Sequence, residues 1–233
     1  MNPTMKHLSL IAICFLMCLH GLSAQTNGSV RLATIKPGKD KTLPYSVGFM
    51  ASCGSTGDSY YANNTSLFLE GMFVKAGPYI KLTLHEGSST RASAIGSISY
   101  KACFINDIDS FVDRRFSISA GYISANVSVG GTVSDLTGFR IGVGADLLTG
   151  FRGSPYSYKF DNINKECLNR VIPYLTIGFS FGEICFIEAE IPLNTGMINL
   201  DRYAYYNRAR LTYHRMPTNG LSFYFRIFGS SHK

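Results

Sequence analysis

One pattern recurs along this chain more than any other: apolar residues alternate, one by one, with polar or very small ones. Ile80, Leu82 and Leu84 alternate with Lys81, Thr83 and His85. Phe139, Ile141, Val143, Ala145 and Leu147 alternate with Arg140, Gly142, Gly144 and Asp146. Leu175, Ile177, Phe179 and Phe181 alternate with Thr176, Gly178, Ser180 and Gly182. Ala209, Leu211 and Tyr213 alternate with Arg208, Arg210, Thr212 and His214, and Leu221, Phe223, Phe225 and Ile227 with Ser222, Tyr224, Arg226 and Phe228. A period of two is that of a β-strand whose two faces meet different surroundings, and helical periodicity is scarce. Weaker alternation marks residues 45–51, 66–75, 92–104, 116–129 and 183–191. Together these give about ten candidate strands, or eight if some merge or lie outside the sheet.

Turn signals separate them at Ala76-Gly77-Pro78, Gly87-Ser88-Ser89, Gly130-Gly131, Gly182-Glu183 and Pro217-Thr218-Asn219-Gly220. Longer polar connections are expected at 53–65, 150–169 and 192–206, rich in Tyr, Asn, Asp and Gly. No repeat of fixed longer period is present, so residues 45–233 read as one all-β, antiparallel domain.

Alternation fits two solutions. A soluble sandwich or lipocalin turns its apolar face inward; a membrane barrel turns it to lipid and lines its interior with the polar face. Three features favour lipid. The polar faces carry Gly142, Gly144, Gly178, Ser180 and Gly182, which suit a narrow interior, whereas glycine weakens a water-facing strand. Aromatics lie near strand ends, at Tyr79, Tyr100, Phe104, Phe116, Phe139, Tyr213, Phe223 and Phe228, as in interfacial girdles, although the chain has no tryptophan. The runs also reach roughly 9–12 residues, the length a tilted strand needs to cross a bilayer.

The first residues read as an export signal. Lys6 and His7 precede a nearly unbroken apolar run from Leu8 to Leu22, followed by Leu22-Ser23-Ala24-Gln25, a small-residue cleavage site. That run is roughly 15 residues, short of the roughly 20 of a spanning helix. The division expected is a signal peptide at 1–24, a polar N-terminal tail at 25–44 and an outer-membrane barrel at 45–233. The alternatives, an uncleaved anchor or a lipoprotein, fit less well: a polar segment follows directly, and bulky Met17 precedes Cys18.

With this export junction and alternating strands running to Leu221-Ser222-Phe223-Tyr224-Phe225-Arg226-Ile227-Phe228, the chain resembles the small outer-membrane β-barrel proteins, the porin-like and adhesin-like group of Gram-negative envelopes. The resemblance implies an antiparallel, up-and-down transmembrane barrel of about 8–10 strands. It also implies outer-membrane lipid and the barrel-assembly machinery as partners. In such a barrel Lys81, Lys101, Arg140, Asp146, Glu188, Glu190, Arg208, Arg210 and Arg226 would share the inward face as lumen-lining charges of both signs. The function implied is structural or porin-like. Surface loops at 55–65 and 151–169 would carry any recognition. A soluble exported sandwich or lipocalin-like binder is the alternative.

Sequence motifs for catalysis fail their context. Gly178-Phe179-Ser180-Phe181-Gly182 matches a serine-hydrolase elbow, but that motif needs a helix after its serine, and here alternation runs straight through Ser180. His214 stands where lipid A deacylases carry a catalytic histidine, but Met216 occupies the place of their serine. Gly142-x-Gly144 lacks the third glycine of a dinucleotide site. Asp107, Asp109 and Asp113 lack the glycine and glutamate of a calcium loop. Cys53, Cys103, Cys167 and Cys185 match no zinc spacing and read as one or two bridges or as buried thiols. The net charge of +7 has no dense basic run beyond 36–41, so anionic lipid or wall polymer fits better than nucleic acid. The expectation is a non-enzyme without cofactor or metal.

Overall fold

A computed structural model describes residues 45–62, 65–86, 90–109, 114–134, 137–153, 163, 165–181, 185–208, 210–215 and 217–229. The expected signal peptide and N-terminal tail lie outside these residues. The strands are β1 (Tyr45–Ala62), β2 (Thr65–Glu86), β3 (Arg91–Asp109), β4 (Arg114–Ser134), β5 (Thr137–Gly153), β6 (Val171–Phe181), β7 (Cys185–Pro192), β8 (Thr212–His214) and β9 (Thr218–Gly229). A 3₁₀ turn covers Lys165–Cys167, and one helix, α1, covers Leu200–Asn207.

All nine strands belong to one antiparallel sheet. Neighbours in sequence pair in turn from β1 to β7; β7 pairs with β9, and β9 returns to β1, from Ser46↔Gly229 to Ser55↔Asn219. Eight strands thus form a closed up-and-down ring. The short β8 stands apart, pairing with β1 only at Ser59–Tyr61, beyond the point where β9 leaves it. Eight strands is the size at which side chains just fill the interior.

The strands are longer than the sequence suggests, and three expected breaks are absent. Gly77 and Pro78 lie inside β2, paired with Met50 and Phe49 of β1. On the other side the β2–β3 ladder skips from Ala76↔Tyr100 to Tyr79↔Ser97. A proline has no N–H to donate, so it is tolerated where a ladder is interrupted. Gly130-Gly131 also continues a strand; a Cβ on Gly130 would stand 2.6 Å from that of Arg140, so glycine here makes room for a bulky inward neighbour. The expected loop over 53–65 is the end of β1 and the start of β2. Conversely, the expected strand over 208–214 shrinks to β8, because α1 ends only at Asn207.

The ring has two unlike ends. The strand ends Glu86 and Arg91, Ser134 and Thr137, and Phe181 and Cys185 lie at the end shared with Tyr45 and Gly229. The ends Ala62 and Thr65, Asp109 and Arg114, Gly153 and Val171, and Pro192 and Thr218 lie at the opposite end. The two long connections, β5 to β6 and β7 to β9, therefore leave from the same side, and their described residues supply the 3₁₀ turn, α1 and β8.

Burial is inverted relative to a water-soluble barrel. Ile98 is 61% exposed, and Phe49, Ile80, Leu82, Leu84, Ile123, Val127, Ile141, Val143 and Phe179 are exposed with it. Lys101 is 5% exposed, and Lys75, Ser99, Ser124, Asn126, Ser128, Arg140, Asp146, Thr176 and Ser222 are buried. Of the expected girdle, Tyr100, Phe104 and Phe139 face outward, whereas Tyr79 is buried inside against Tyr224, with ring centroids 5.0 Å apart.

The small inward residues have a packing role. A Cβ on Gly144 would meet the ring of Tyr174, which crosses the interior at that level. Gly144→Val is expected to lower stability by about 1–3 kcal/mol through overpacking. Gly150→Val, on the same strand with nothing within 4 Å of its Cβ, should leave it nearly unchanged. Unfolding midpoints of the two variants in urea check this.

Candidate functional site

The interior of the ring is divided into three levels. At mid-height the ammonium groups of Lys75 from β2 and Lys101 from β3 converge on Glu190 from β7. Lys75 Nζ donates to Glu190 Oε1 at 2.9 Å, and Lys101 Nζ donates to Oε2 at 2.6 Å. Lys101 also donates to Asp146 Oδ2 of β5 at 2.8 Å. The four charges balance. Tyr174 frames the cluster, its hydroxyl 2.9 Å from Ser124 Oγ and 3.4 Å from Lys75 Nζ. The ring of Phe73 lies under Lys101, 5.3 Å from Nζ. The period of two makes this cluster, since every second residue of each strand points inward and register aligns the four positions.

Nearer the short turns, Arg140 of β5 pairs with Glu188 of β7 and donates to the Tyr224 hydroxyl. Its guanidinium stacks on Phe186, 4.3 Å from the centroid. A Cβ on Gly178 would stand 3.2 Å from Arg140 Cγ, so the glycine leaves room for this side chain.

At the opposite end the two long connections form a cap. Tyr60, Phe73, Cys103, Ile105, Ile118, Tyr122, Ile163, Cys167, Leu168, Ile172, Met197, Ile198, Tyr203 and Leu211 make one buried apolar cluster there. Asn169 ties the two connections together: its amide donates to Thr195 Oγ1 at 3.0 Å and to the carbonyls of Gly196 and Ile198 at 2.9 and 3.3 Å. Asn199 caps α1 through a 3.0 Å bond from Arg202 N and donates to Asn169 Oδ1 at 3.0 Å.

Two residues at the end of β1 hold the cap to the ring. Asp58 Oδ2 accepts from Met197 N at 2.8 Å and from Tyr60 OH at 3.2 Å, and Oδ1 accepts from Tyr213 OH at 3.3 Å. Tyr60 OH also donates to Thr195 O at 2.9 Å and accepts from Ile198 N at 2.9 Å. Gly196 sits over the carboxylate with φ +63, a left-handed turn that a side chain would strain. Asp58 lies past the outward apolar stretch of β1, which gives way to exposed Ser55. Burial pushes its carboxyl up to about 6, and the hydrogen bonds from Met197, Tyr60 and Tyr213 only partly oppose that.

The residues expected to line the interior separate into groups. Lys101, Arg140, Asp146, Glu188 and Glu190 form the two ion clusters. Lys81 is half-buried and lines the mouth at the turn end. Arg226 is exposed at that same end, where a β-bulge between Val47 and Gly48 shifts the β1–β9 register. Arg208 and Arg210 lie outside the ring in the β7–β9 connection, both exposed, with Arg208 ending α1 in the left-handed conformation. Their alternation is that of a segment only three residues of which pair as a strand.

Sequence reasoning misses Lys75, because Gly77-Pro78 reads as the end of its strand although both residues lie inside β2. It also missed Asp58 and Asn169, which lay in presumed loops. Ser180 is buried within β6, without the strand–turn–helix a hydrolase elbow requires. His214 is on β8, edge-on to Tyr61 at 4.7 Å. Asn126 is buried, donating to Thr176 Oγ1 at 2.7 Å. Asp113 lies outside the described residues. Cys53, Cys103, Cys167 and Cys185 are thiols, with no disulfide among them. Among the described residues no cluster of three or more His, Cys, Asp or Glu is placed to hold a metal ion.

Glu190→Gln would leave two buried ammonium groups short of a counter-charge, and is expected to cost about 3–5 kcal/mol. Denaturant titration of the folded protein tests it. Asp58 has a pKa of about 6 in the folded protein against an ordinary value of 3.8. The folded state therefore binds the extra proton, and stability should fall as pH rises across that window. Asp58→Asn should flatten the dependence there, read from unfolding midpoints taken from pH 4 to 7.

No protein-family model matches this chain, and neither a curated protein nor a solved structure shows significant similarity to it.

Proposed function

We propose that the protein is an outer-membrane β-barrel with a structural rather than a conducting role, exported through a cleaved signal peptide at residues 1–24. The carrying observation is the inverted burial: charged groups and hydroxyls pack inside the ring while a continuous girdle of aliphatic and aromatic side chains stays exposed. Contiguous exposed apolar surface on this scale marks a surface covered by something apolar. A closed ring of strands is one of the two structures whose backbone polar groups are all satisfied in lipid. Among the described residues no helix is long and apolar enough to cross a membrane.

Two further features support the reading. Both long connections share one end and both described termini share the other, the arrangement of outer-membrane barrels with short periplasmic turns and long external loops. The cap and the charge clusters fill the interior, which opposes a water-filled pore. The partners are then outer-membrane lipid and the machinery that assembles barrels there, and the capped face is the one available for recognition outside the cell.

Envelope fractionation of Gram-negative cells expressing the full chain tests this. The protein should sediment with the outer membrane and change mobility on SDS gels after boiling. In planar bilayers it should give no sustained conductance. Recovery in the soluble periplasm without a mobility shift overturns the membrane assignment and moves the protein to a soluble binder; steady channel currents overturn the closed interior.

A further inference from the structure

The outer face of the cap is built from α1 and the segment that leads from it into β8. Successive side chains of a helix turn by about 100°, so the residue that is buried fixes which others point away. Tyr203 is buried in the apolar cluster and Leu200 packs against it. Asp201, Arg202, Tyr205 and Tyr206 are therefore turned outward, and all four are exposed. Tyr205 is 80% exposed and Tyr206 49%, their rings edge to face with centroids 5.2 Å apart.

Arginines follow the tyrosines. Arg202 reaches Glu166 at 3.7 Å, but Arg208, Arg210 and Arg215 are exposed and make no ion pair among the described residues. Asp201 is the one acidic residue between 200 and 215, so this stretch is strongly cationic. Arg208 is also conformationally costly. It is the one non-glycine residue of positive φ among the described residues, at +51, where a helix commonly ends on glycine. Glycine would make the same turn without strain, so stability does not account for an arginine here.

β8 adds backbone to this charge. Thr212–His214 pair with β1 along one edge, and no described strand pairs with the other. An open strand edge offers N–H and C=O groups to an extended chain laid against it. Arg210 and Arg215 bracket that edge in the sequence. Guanidinium groups pair best with carboxylates and similar anions, and arginine and tyrosine are the residues enriched in interface hot spots. A polypeptide supplies carboxylates and a pairing backbone together; an acidic polysaccharide or a lipid headgroup supplies only the charge.

We infer that this face binds an extended acidic segment of another protein, which adds to β8 as a strand and sets its carboxylates against Arg208, Arg210 and Arg215. The inference deepens the reading of the capped face as the recognition surface, and rests on that reading only for the side of the membrane on which the partner lies. Its chemistry needs only the cap, so the purified chain tests it apart from envelope fractionation.

Fluorescence anisotropy of a short labelled poly-L-glutamate peptide, titrated with the full chain folded in octyl glucoside, is the test. Saturable binding is expected, weakening as salt rises. Hydrogen exchange at Thr212–His214 should slow in the complex. Arg210→Gln combined with Arg215→Gln should weaken binding roughly tenfold, as the loss of charge-assisted hydrogen bonds does. Arg208→Gly relaxes the strained turn, so it should weaken binding several-fold while the unfolding midpoint stays near that of the parent chain. Binding that leaves exchange at β8 unchanged, or equal binding of polygalacturonate, overturns strand addition by a protein and leaves a face that attracts any polyanion. Absence of saturable binding, or binding that these variants do not alter, overturns the site.

Discussion

Everything else in this molecule depends on the ladder between β1 and β9. Without it the sheet has two long free edges, each a row of unpaired N–H and C=O groups. With it, Ser46–Ser55 of the first strand is paired on both sides, and the ring acquires an inside. The inward positions of non-adjacent strands then face one another across a gap about as wide as two side chains. Lys75, Lys101, Asp146 and Glu190 come from four strands and meet only because the ring is closed. The cap has the same dependence, because Asp58 and Tyr60 stand on the part of β1 that β9 has left and β8 has taken over.

The interior uses charge where a water-soluble barrel would use hydrocarbon. Two ammonium and two carboxylate groups at mid-height neutralise one another; Lys75 also donates to the Tyr174 hydroxyl, which is bonded in turn to Ser124, and Lys101 lies over the ring of Phe73. Such a cluster contributes less to stability than its short distances suggest, because desolvating the ions offsets much of their attraction. It does impose register: slipping any one of the four strands by a single residue would turn its charge outward. Apolar packing is concentrated at the capped end, where two connections with little pairing of their own must be held in place.

How legible this was in the sequence follows from which signals are local. Alternation in 80–85, 139–147, 175–181 and 221–227 is visible without a structure because inside and outside differ in polarity. The same alternation identified Lys101, Arg140, Asp146, Glu188 and Glu190 as inward-facing. Strand ends were read too short wherever glycine or proline stood in a strand, as at Gly77-Pro78 and Gly130-Gly131. Whether such residues break a strand depends on what the neighbouring strands do at that level, which the local sequence does not encode. Arg208 and Arg210 alternate as a strand would, yet they follow a capped helix. Asp58 and Asn169 could not be singled out, since Met197 and Tyr213 lie far along the chain from Asp58, and Thr195, Gly196, Ile198 and Asn199 far from Asn169.

The pairing of the first ring strand with the last has a kinetic consequence. The longest-range contacts of the whole domain are the ones that complete it, and such contacts are the slowest to form because the intervening chain must be confined first. Nothing emerging earlier can substitute for β9, so every intermediate that lacks it presents two open edges together with an unclosed apolar girdle. A chain of this kind cannot mature piece by piece as it is synthesised; it must be kept from pairing with its neighbours until its last strand has arrived.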